Sequence, residues 1–161
     1  MGLMDAKEYD PGPANRRKRL IAAVVAAAVV AGIFWYFFRY WPEEQVINKF
    51  FEAIERKDLQ TAYGLYEGDP NWQQHPNQYD RYPFGQFSVD WGPSGDYGPI
   101  TSHHVECATE LPRKEGAGSP TGVVVVVRIN GRAETKSMWV EKKSKRITDS
   151  PNAVLCHGES N

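Results

Sequence analysis

The hydrophobic pattern of the chain opens with one uninterrupted apolar run near the N-terminus. Residues 20–38 carry no charged side chain and consist of Ala, Val, Ile, Leu, Gly and aromatic residues. At about 1.5 Å of rise per residue, a helix of this length reaches about 28 Å, close to the hydrocarbon thickness of a bilayer. The run closes on aromatic side chains followed by Arg39, a pattern typical of a membrane–water interface. We therefore predict a transmembrane helix over residues 20–41.

The charges that flank this run predict its orientation. Residues 1–19 contain five Lys or Arg against three Asp or Glu, and four of the cations, Arg16, Arg17, Lys18 and Arg19, abut the apolar run. The positive-inside rule then keeps residues 1–19 in the cytoplasm as a disordered tail and sends residues 42–161 across. The prediction is a single-pass protein of the bacterial inner membrane with a periplasmic, or more generally extracytoplasmic, C-terminal domain.

Two alternatives to a membrane anchor remain open. Cleavage of a signal peptide after Ala31 would leave an exposed aromatic cluster at the new N-terminus, and signal-peptide apolar regions are shorter, about 7–15 residues. A buried Ala/Val helix in a soluble protein would not require the flanking cations and aromatic residues. The uncleaved anchor is favoured over both.

Helical periodicity continues after the predicted span. Pro42 followed by two glutamates is typical of a helix start, and apolar residues then recur at helical spacing. Asp58 is placed to cap a second helix, which ends at Gly68. The two apolar stripes are Val46, Ile47, Phe50, Phe51 and Ile54, and then Leu59, Ala62, Tyr63 and Tyr66.

A polar, proline-bearing loop is predicted over residues 69–82. Residues 84–91 fit both a helix and a strand, and eight residues are too few to decide by periodicity. We favour a short helix that follows Pro83 and is terminated by Gly92 and Pro93.

The C-terminal half has the composition of β-strands. Strands are predicted over residues 100–111, 121–129, 132–142 and 145–148, with residues 154–156 as an extension of the last. Asn130-Gly131 is typical of a type I′ hairpin turn. A two-residue turn puts Val124 and Val126 on one sheet face with Ser137 and Trp139, and Val123, Val125 and Val127 on the other with Lys136 and Met138. One face belongs to the core, and the second requires cover by a partner or a neighbouring segment.

Composition limits the rest of the interpretation. The 120 residues after the span suffice for one compact domain, predicted over residues 42–157 with a tail at 158–161. This part holds 13 Lys or Arg and 17 Asp or Glu, a formal charge of −4 without a basic stripe. Nucleic acid is therefore not an expected partner.

Both cysteines, Cys107 and Cys156, lie after the span. An even number in an oxidising compartment suggests one disulfide. A metal site with His103, His104 and His157 is the alternative, but the spacing matches no usual zinc pattern, and we expect neither a metal nor a cofactor. Free buried thiols are the third interpretation.

Residues 46–65, VINKFFEAIERKDLQTAYGL, resemble the opening of the nuclear transport factor 2-like superfamily: a helix, an acidic turn at Asp58, and a helix entered with Ala and Tyr. The resemblance covers about residues 43–157. It implies an α+β fold in which two or three helices pack on a curved antiparallel sheet of about four strands, forming a cone with a pocket. The segment from Asp90 to Pro93 and a pairing of Cys107 with Cys156 are similar to small membrane-anchored bacterial members without an assigned activity. Enzymes of the superfamily carry an Asp/His or Tyr/Asp set that does not map onto this chain.

Four residues are candidates for acid–base catalysis: Asp90, Tyr97, His103 and His104. Adjacent histidines on a strand point in opposite directions, so at most one of them enters a pocket. Asp90 equally suits a helix end that bonds the backbone, and we favour this structural role. No phosphate-binding loop, serine-hydrolase or metalloprotease motif is present in the sequence.

Aromatic residues provide candidates for ligand binding, namely Trp72, Tyr79, Tyr82 and Trp91, although packing in the core is the favoured interpretation. The sequence thus predicts a non-catalytic, membrane-anchored domain for protein–protein interaction or small-ligand binding in the cell envelope. Its expected partners are the lipid bilayer and a membrane or envelope protein or a second copy. The alternative is a pocket enzyme of the lyase or isomerase type that uses Asp90 and a histidine.

Overall fold

The structure is a computed structural model that describes residues 13–111, 121–150, 153, 154 and 156. The chain divides into two compact units, residues 1–39 and 40–161. The predicted tail at 158–161, His157 and residues 1–12 lie outside the described residues.

The first unit contains helix α1, Pro13–Phe38, of 26 residues. Among the described residues, one helical stretch near the N-terminus is long and apolar enough to cross a membrane. Its 18-residue window has a mean hydropathy of 2.4, and no part of this window is buried. Residues 13–19, predicted to belong to a disordered tail, are helical instead. Ala, Lys and Arg are good helix formers, so the helix extends into the basic cluster.

The helices of the second unit are α2 (Trp41–Glu55), α3 (Leu59–Glu67) and α4 (Phe84–Asp90), with two 3₁₀ turns at Trp72–Gln74 and Pro76–Gln78. Asp58 caps α3 as predicted, because its side chain accepts a hydrogen bond from Thr61 N at 3.1 Å. Gly68 ends α3 in the left-handed conformation with φ of 67°. The ambiguous segment is helical over Phe84–Asp90 with Trp91 as its C-cap, and the chain turns after it at Gly92 and Pro93.

The sheet is antiparallel and open, with four strands in sequence order: β1 (His103–Thr109), β2 (Gly122–Ile129), β3 (Thr135–Glu141) and β4 (Ile147–Asp149). The α+β class and the strand number are therefore confirmed. Val154 and Cys156 do not lie in a strand, so the predicted extension of the last strand over residues 154–156 is wrong at these two positions.

The hairpin between β2 and β3 has the predicted turn but a different register. Asn130 and Gly131 have φ of 52° and 65°, and Arg132 N bonds Ile129 O at 3.0 Å, as a two-residue turn requires. Pairing then resumes with Arg128 opposite Thr135, two residues beyond the predicted partner. The Arg128 guanidinium holds this offset by donating to the backbone oxygens of Arg132 and Ala133, both at 2.9 Å. Because the offset is even, every side chain keeps its predicted face.

One sheet face forms the core beneath the helices. Val123, Val125 and Val127 are fully buried there, together with aromatic residues of α2, α3 and α4.

The opposite face is also buried, since Val124 and Val126 have no exposed surface. Cys107 and Ser137 flank Val126 on the neighbouring strands, and both hold the C-terminal segment. Cys107 forms the disulfide with Cys156, and Ser137 Oγ accepts a hydrogen bond from Val154 N at 3.1 Å. The disulfide is thus confirmed, and a neighbouring segment of the same chain lies over the second face.

Candidate functional site

Aromatic rings of α2, α3 and α4 pack together in the core beside the valines of the sheet. Phe50 lies 5.0 Å from Trp91 and 5.1 Å from Phe51, and Tyr63 lies 5.1 Å from Phe87, measured between ring centroids. Trp91, a predicted ligand-binding residue, is only 6% exposed and belongs to this core. Its role here is packing.

Asp90 lies at the end of α4 and is engaged by two side chains. Its carboxylate accepts hydrogen bonds from Tyr82 Oη at 2.9 Å and Gln86 Nε2 at 2.8 Å. Burial, and then the hydrogen bond to Asp90, raise the pKa of the Tyr82 hydroxyl. The Tyr82 hydroxyl is therefore protonated and donates a hydrogen bond to Asp90. This bond joins the end of the loop that precedes α4 to the last residue of α4.

His103 joins β1 to α2. Its Nδ1 lies 2.7 Å from Glu55 Oε1, its Nε2 lies 3.1 Å from Asn48 Oδ1, and its ring stacks on Phe51 at 5.2 Å. Only 12% of the His103 side chain is exposed, whereas the neighbouring His104 is exposed. Both nitrogens of His103 are thus engaged in contacts within the fold.

Tyr97 stacks on Trp91 at 6.1 Å, and the Arg132 guanidinium lies 5.5 Å from its ring. Within the part of the chain that the structure describes, no hydrogen bond, ion pair or ring contact joins Asp90, Tyr97, His103 and His104 to one another. The structure does not assemble these four candidates into one constellation.

Clefts formed by the described residues also lie outside the core, and we name one of them the Trp72 cleft. It has a volume of about 440 Å³ and mostly apolar walls. Its lining residues are Val46, Gln60, Thr61, Gly64, Leu65, Gly68, Pro70, Trp72, Gln73, Ser144 and Lys145. This volume is in the range of small-molecule sites.

Local packing fixes the position of Trp72. Its Nε1 donates to Gln60 O at 3.2 Å, and its ring lies 5.1 Å from Phe84 and 4.8 Å from Tyr63. Gly64 permits this arrangement, because a Cβ there would lie 3.2 Å from Trp72 Cδ1 and 3.1 Å from Asp69 O. Trp72 is therefore a fixed wall of the cleft.

The second cleft, which we name the Glu67 cleft, has a volume of about 450 Å³ and walls that are about equally polar and apolar. It is lined by Glu67, Gly68, Asp69, His75, Gln78, Tyr79, Glu141, Ser144 and Arg146. Asp69 organises one side: its Oδ2 lies 2.8 Å from His75 Nδ1 and 2.7 Å from Tyr79 Oη. The hydrogen bond from His75, followed by that from Tyr79, lowers the pKa of Asp69. Burial, followed by the hydrogen bond to Asp69, raises the pKa of Tyr79 to about 12.

Glu67 forms the other side of this cleft and is almost completely buried. Its side chain is 1% exposed, and its Oε2 lies 2.6 Å from Arg146 Nη2. Both carboxylate oxygens are buried without a well-aligned hydrogen bond from the described residues, so Arg146 engages Oε2 as an ion pair. Burial raises the pKa of Glu67, and the charge of Arg146 acts in the opposite direction.

The turn between β3 and β4 lies between the two clefts. Two consecutive cationic residues of this turn, Lys145 and Arg146, form ion pairs with the helices. Lys145 Nζ lies 2.6 Å from Glu43 Oε1 of α2, whose side chain is 5% exposed, and Arg146 pairs with Glu67 of α3. Gly68 allows the turn to approach, because a Cβ there would lie 2.6 Å from Ser144 O. Gly68 and Ser144 consequently line both clefts.

Of the four predicted ligand-binding residues, Trp72 lines the first cleft and Tyr79 the second, while Tyr82 and Trp91 line neither. Sequence reasoning missed the buried carboxylates of Glu43 and Glu67. Glu67 had a detectable signal, since it follows Tyr63 by four residues and therefore lies on the buried face of α3. Among the described residues, no group of three or more His, Cys, Asp or Glu is placed to hold a metal ion.

Comparison of the chain with protein-family models, curated proteins and solved structures finds no match. The fold itself defines an α+β protein with an N-terminal helix long and apolar enough to cross a membrane.

Proposed function

We propose that this protein is a single-pass membrane protein that displays a non-catalytic binding domain outside the cytoplasm. The observation that carries the proposal is α1. An apolar window of 18 residues without any buried surface needs an apolar surrounding. A bilayer provides this surrounding.

Two features support the orientation. Arg16, Arg17, Lys18 and Arg19 immediately precede the apolar run, as expected for a cytoplasmic flank. The disulfide between Cys107 and Cys156 suits the oxidising side of a bacterial inner membrane.

Binding is favoured over catalysis because of where the polar groups lie. Asp90 and His103 are each engaged by neighbouring side chains, and aromatic rings occupy the space above the sheet. We propose the Trp72 cleft as the site, because its apolar walls and its rim of Gln60, Thr61 and Gln73 suit a small, partly apolar ligand of the envelope. Within the α+β class, we propose the nuclear transport factor 2-like arrangement that the resemblance of residues 46–65 implies, with three helices ahead of four antiparallel strands.

The cleft is tested with the full chain in lipid nanodiscs and a set of water-soluble fluorinated aromatic fragments, using ¹⁹F line broadening relative to empty nanodiscs. Thr61→Trp places an indole into the cleft from an exposed position on its rim. Glu52→Trp is the matched control, because Glu52 is an exposed helical residue that does not line the cleft.

We expect at least one fragment to broaden with the native chain and with Glu52→Trp, and to lose this broadening with Thr61→Trp. Equal broadening with both variants, or broadening with neither the native chain nor the control, would contradict the assignment of the cleft.

A further inference from the structure

Trp72 offers its cleft an apolar ring surface and no free hydrogen-bond donor. Its Nε1 already donates to Gln60 O at 3.2 Å, and Phe84 stacks on the ring with 27° between the two planes. Tyr63 meets the ring edge-on, at 85°. Trp72 is nevertheless only partly buried, and it lines the cleft. A ligand in the cleft therefore meets the indole through a flat apolar face of its own.

Two glutamine side chains present a donor and an acceptor to the same cleft. Gln60 and Gln73 are exposed and line the cleft, and Gln73 Nε2 donates to Gln60 Oε1 at 3.3 Å. This bond leaves the amide nitrogen of Gln60 as a donor and the amide oxygen of Gln73 as an acceptor, neither of them bonded to another described residue. A hydroxyl group suits both positions, because it donates and accepts. The ligand is therefore expected to carry hydroxyls along its edge.

The charge of the cleft is balanced within the fold. Lys145 is the charged residue among the described residues that line the cleft, and its Nζ lies 2.6 Å from Glu43 Oε1. The Glu43 side chain is only 5% exposed. An anionic ligand that drew Lys145 away would leave this carboxylate buried without its partner, which is costly. A neutral ligand avoids this cost.

A pyranose ring combines these three properties. When its hydroxyls are equatorial, both of its faces consist of C–H groups, the hydroxyls lie along its edge, and the ring is uncharged. We propose that the Trp72 cleft binds a neutral pyranose ring of a saccharide, stacked by one C–H face on Trp72 and bonded through edge hydroxyls to Gln60 and Gln73. This inference rests on the proposed function, because it names the ligand class of the same cleft.

The test is saturation-transfer NMR of cellobiose, an uncharged disaccharide of equatorially substituted rings, with the full chain in phosphatidylcholine nanodiscs. Empty nanodiscs give the background. Sorbitol is the ligand control, because it carries the same kind of hydroxyl groups without a ring face. The fluorinated aromatic fragments are measured on the same sample, so that failure of this inference is distinguished from failure of the cleft as a site.

Gln73→Leu removes the proposed acceptor at similar side-chain size, and Gln74→Leu is the matched control. Gln74 is the next residue of the same 3₁₀ turn, is exposed, and does not line the cleft. Thr61→Trp again fills the cleft, with Glu52→Trp as its control. Circular dichroism of each variant establishes that it is folded.

We expect saturation transfer to cellobiose at concentrations up to about 10 mM, stronger for the C–H protons of one ring face than for those of the other. Binding should weaken about fivefold for Gln73→Leu, the loss expected for one hydrogen bond, and remain native for Gln74→Leu. It should be lost with Thr61→Trp and retained with Glu52→Trp.

The proposal is overturned if sorbitol receives as much saturation as cellobiose, if both faces of the ring receive equal saturation, or if cellobiose binding survives Thr61→Trp. Equal binding by Gln73→Leu and Gln74→Leu also overturns it. Should Gln73→Leu not fold, native cellobiose binding by Gln60→Leu has the same consequence. Binding of the aromatic fragments without binding of cellobiose overturns this inference and leaves the cleft in place as a site, whereas binding of neither removes both.

Discussion

Removing the disulfide tests the account of the C-terminal segment. In Cys107→Ser combined with Cys156→Ser, the chain loses a cross-link between residues separated by 49 positions. The chain-entropy model gives about 4 kcal/mol for a loop of roughly fifty residues. The segment that the disulfide holds lies over Val126, so its release also exposes apolar surface.

The expected effect on thermal unfolding follows from this free energy. A folded unit of about 120 residues has an unfolding entropy near 250 cal/mol/K, so a loss of about 4 kcal/mol lowers Tm by about 16 °C. The assay is circular dichroism of the full chain in nanodiscs, with the native chain in reductant as an independent route to the same state.

Both routes should give the same lowered Tm, and the non-reducing electrophoretic mobility of the native chain should change on reduction. A decrease of less than about 3 °C in either case would refute the reasoning, because the segment would then be held without the cross-link. A native chain whose mobility does not respond to reductant would contradict the disulfide itself.

Five further substitutions make up three tests of the packing, each measured by chemical or thermal unfolding. Gly68→Ala should cost about 2–4 kcal/mol, because its φ is 67° and the new Cβ would lie 2.6 Å from Ser144 O. Gly98→Ala is the control, because Gly98 has φ of 62° but no atom within 4 Å of the new Cβ, so it should cost only about 1 kcal/mol for the backbone conformation. Equal costs for Gly68→Ala and Gly98→Ala would contradict the close approach of the β3–β4 turn to Gly68. His103→Ala should cost about 2–3 kcal/mol through its contacts to Glu55, Asn48 and Phe51, whereas exposed His104→Ala should change stability by less than about 0.5 kcal/mol. For Glu67, the raised pKa means that the folded state binds the proton more tightly than the unfolded state. Its contribution is therefore full below the ordinary value of 4.5 and is lost as the pH rises through the folded-state pKa. The stability of the native chain relative to Glu67→Gln should accordingly fall as the pH rises above 4.5, and a constant difference would refute the shift.

Most elements of the fold could be predicted from the sequence, because they depend on residues that lie close together along the chain. The capping of α3 by Asp58 and its end at Gly68 each depend on residues a few positions apart, which the sequence pattern shows directly. The turn at Asn130 and Gly131 was likewise predictable, but the two-residue offset after it depends on bonds from the Arg128 guanidinium to the backbone. The prediction of which side chains share a sheet face still held, because an offset of two residues leaves each side chain on the same face.

The candidate site was harder to predict from the sequence, because its contacts join residues that are far apart along the chain. Glu43 and Lys145 are 102 residues apart, and nothing local to either residue indicates the other. Aromatic residues in the loop looked alike in the sequence, yet Trp72 faces a cleft while Tyr82 bonds Asp90. Only the tertiary arrangement distinguishes these roles.

The most direct test of the central claim is the membrane topology of the full chain in a bacterial host. Alkaline phosphatase fused after residue 161 is active only outside the cytoplasm, and β-galactosidase at the same position is active only inside. We expect high phosphatase activity, low β-galactosidase activity, and retention of the phosphatase fusion in the membrane after alkaline carbonate extraction. The reverse activity pattern, or release of the fusion into the soluble fraction, would contradict a membrane-anchored domain displayed outside the cytoplasm.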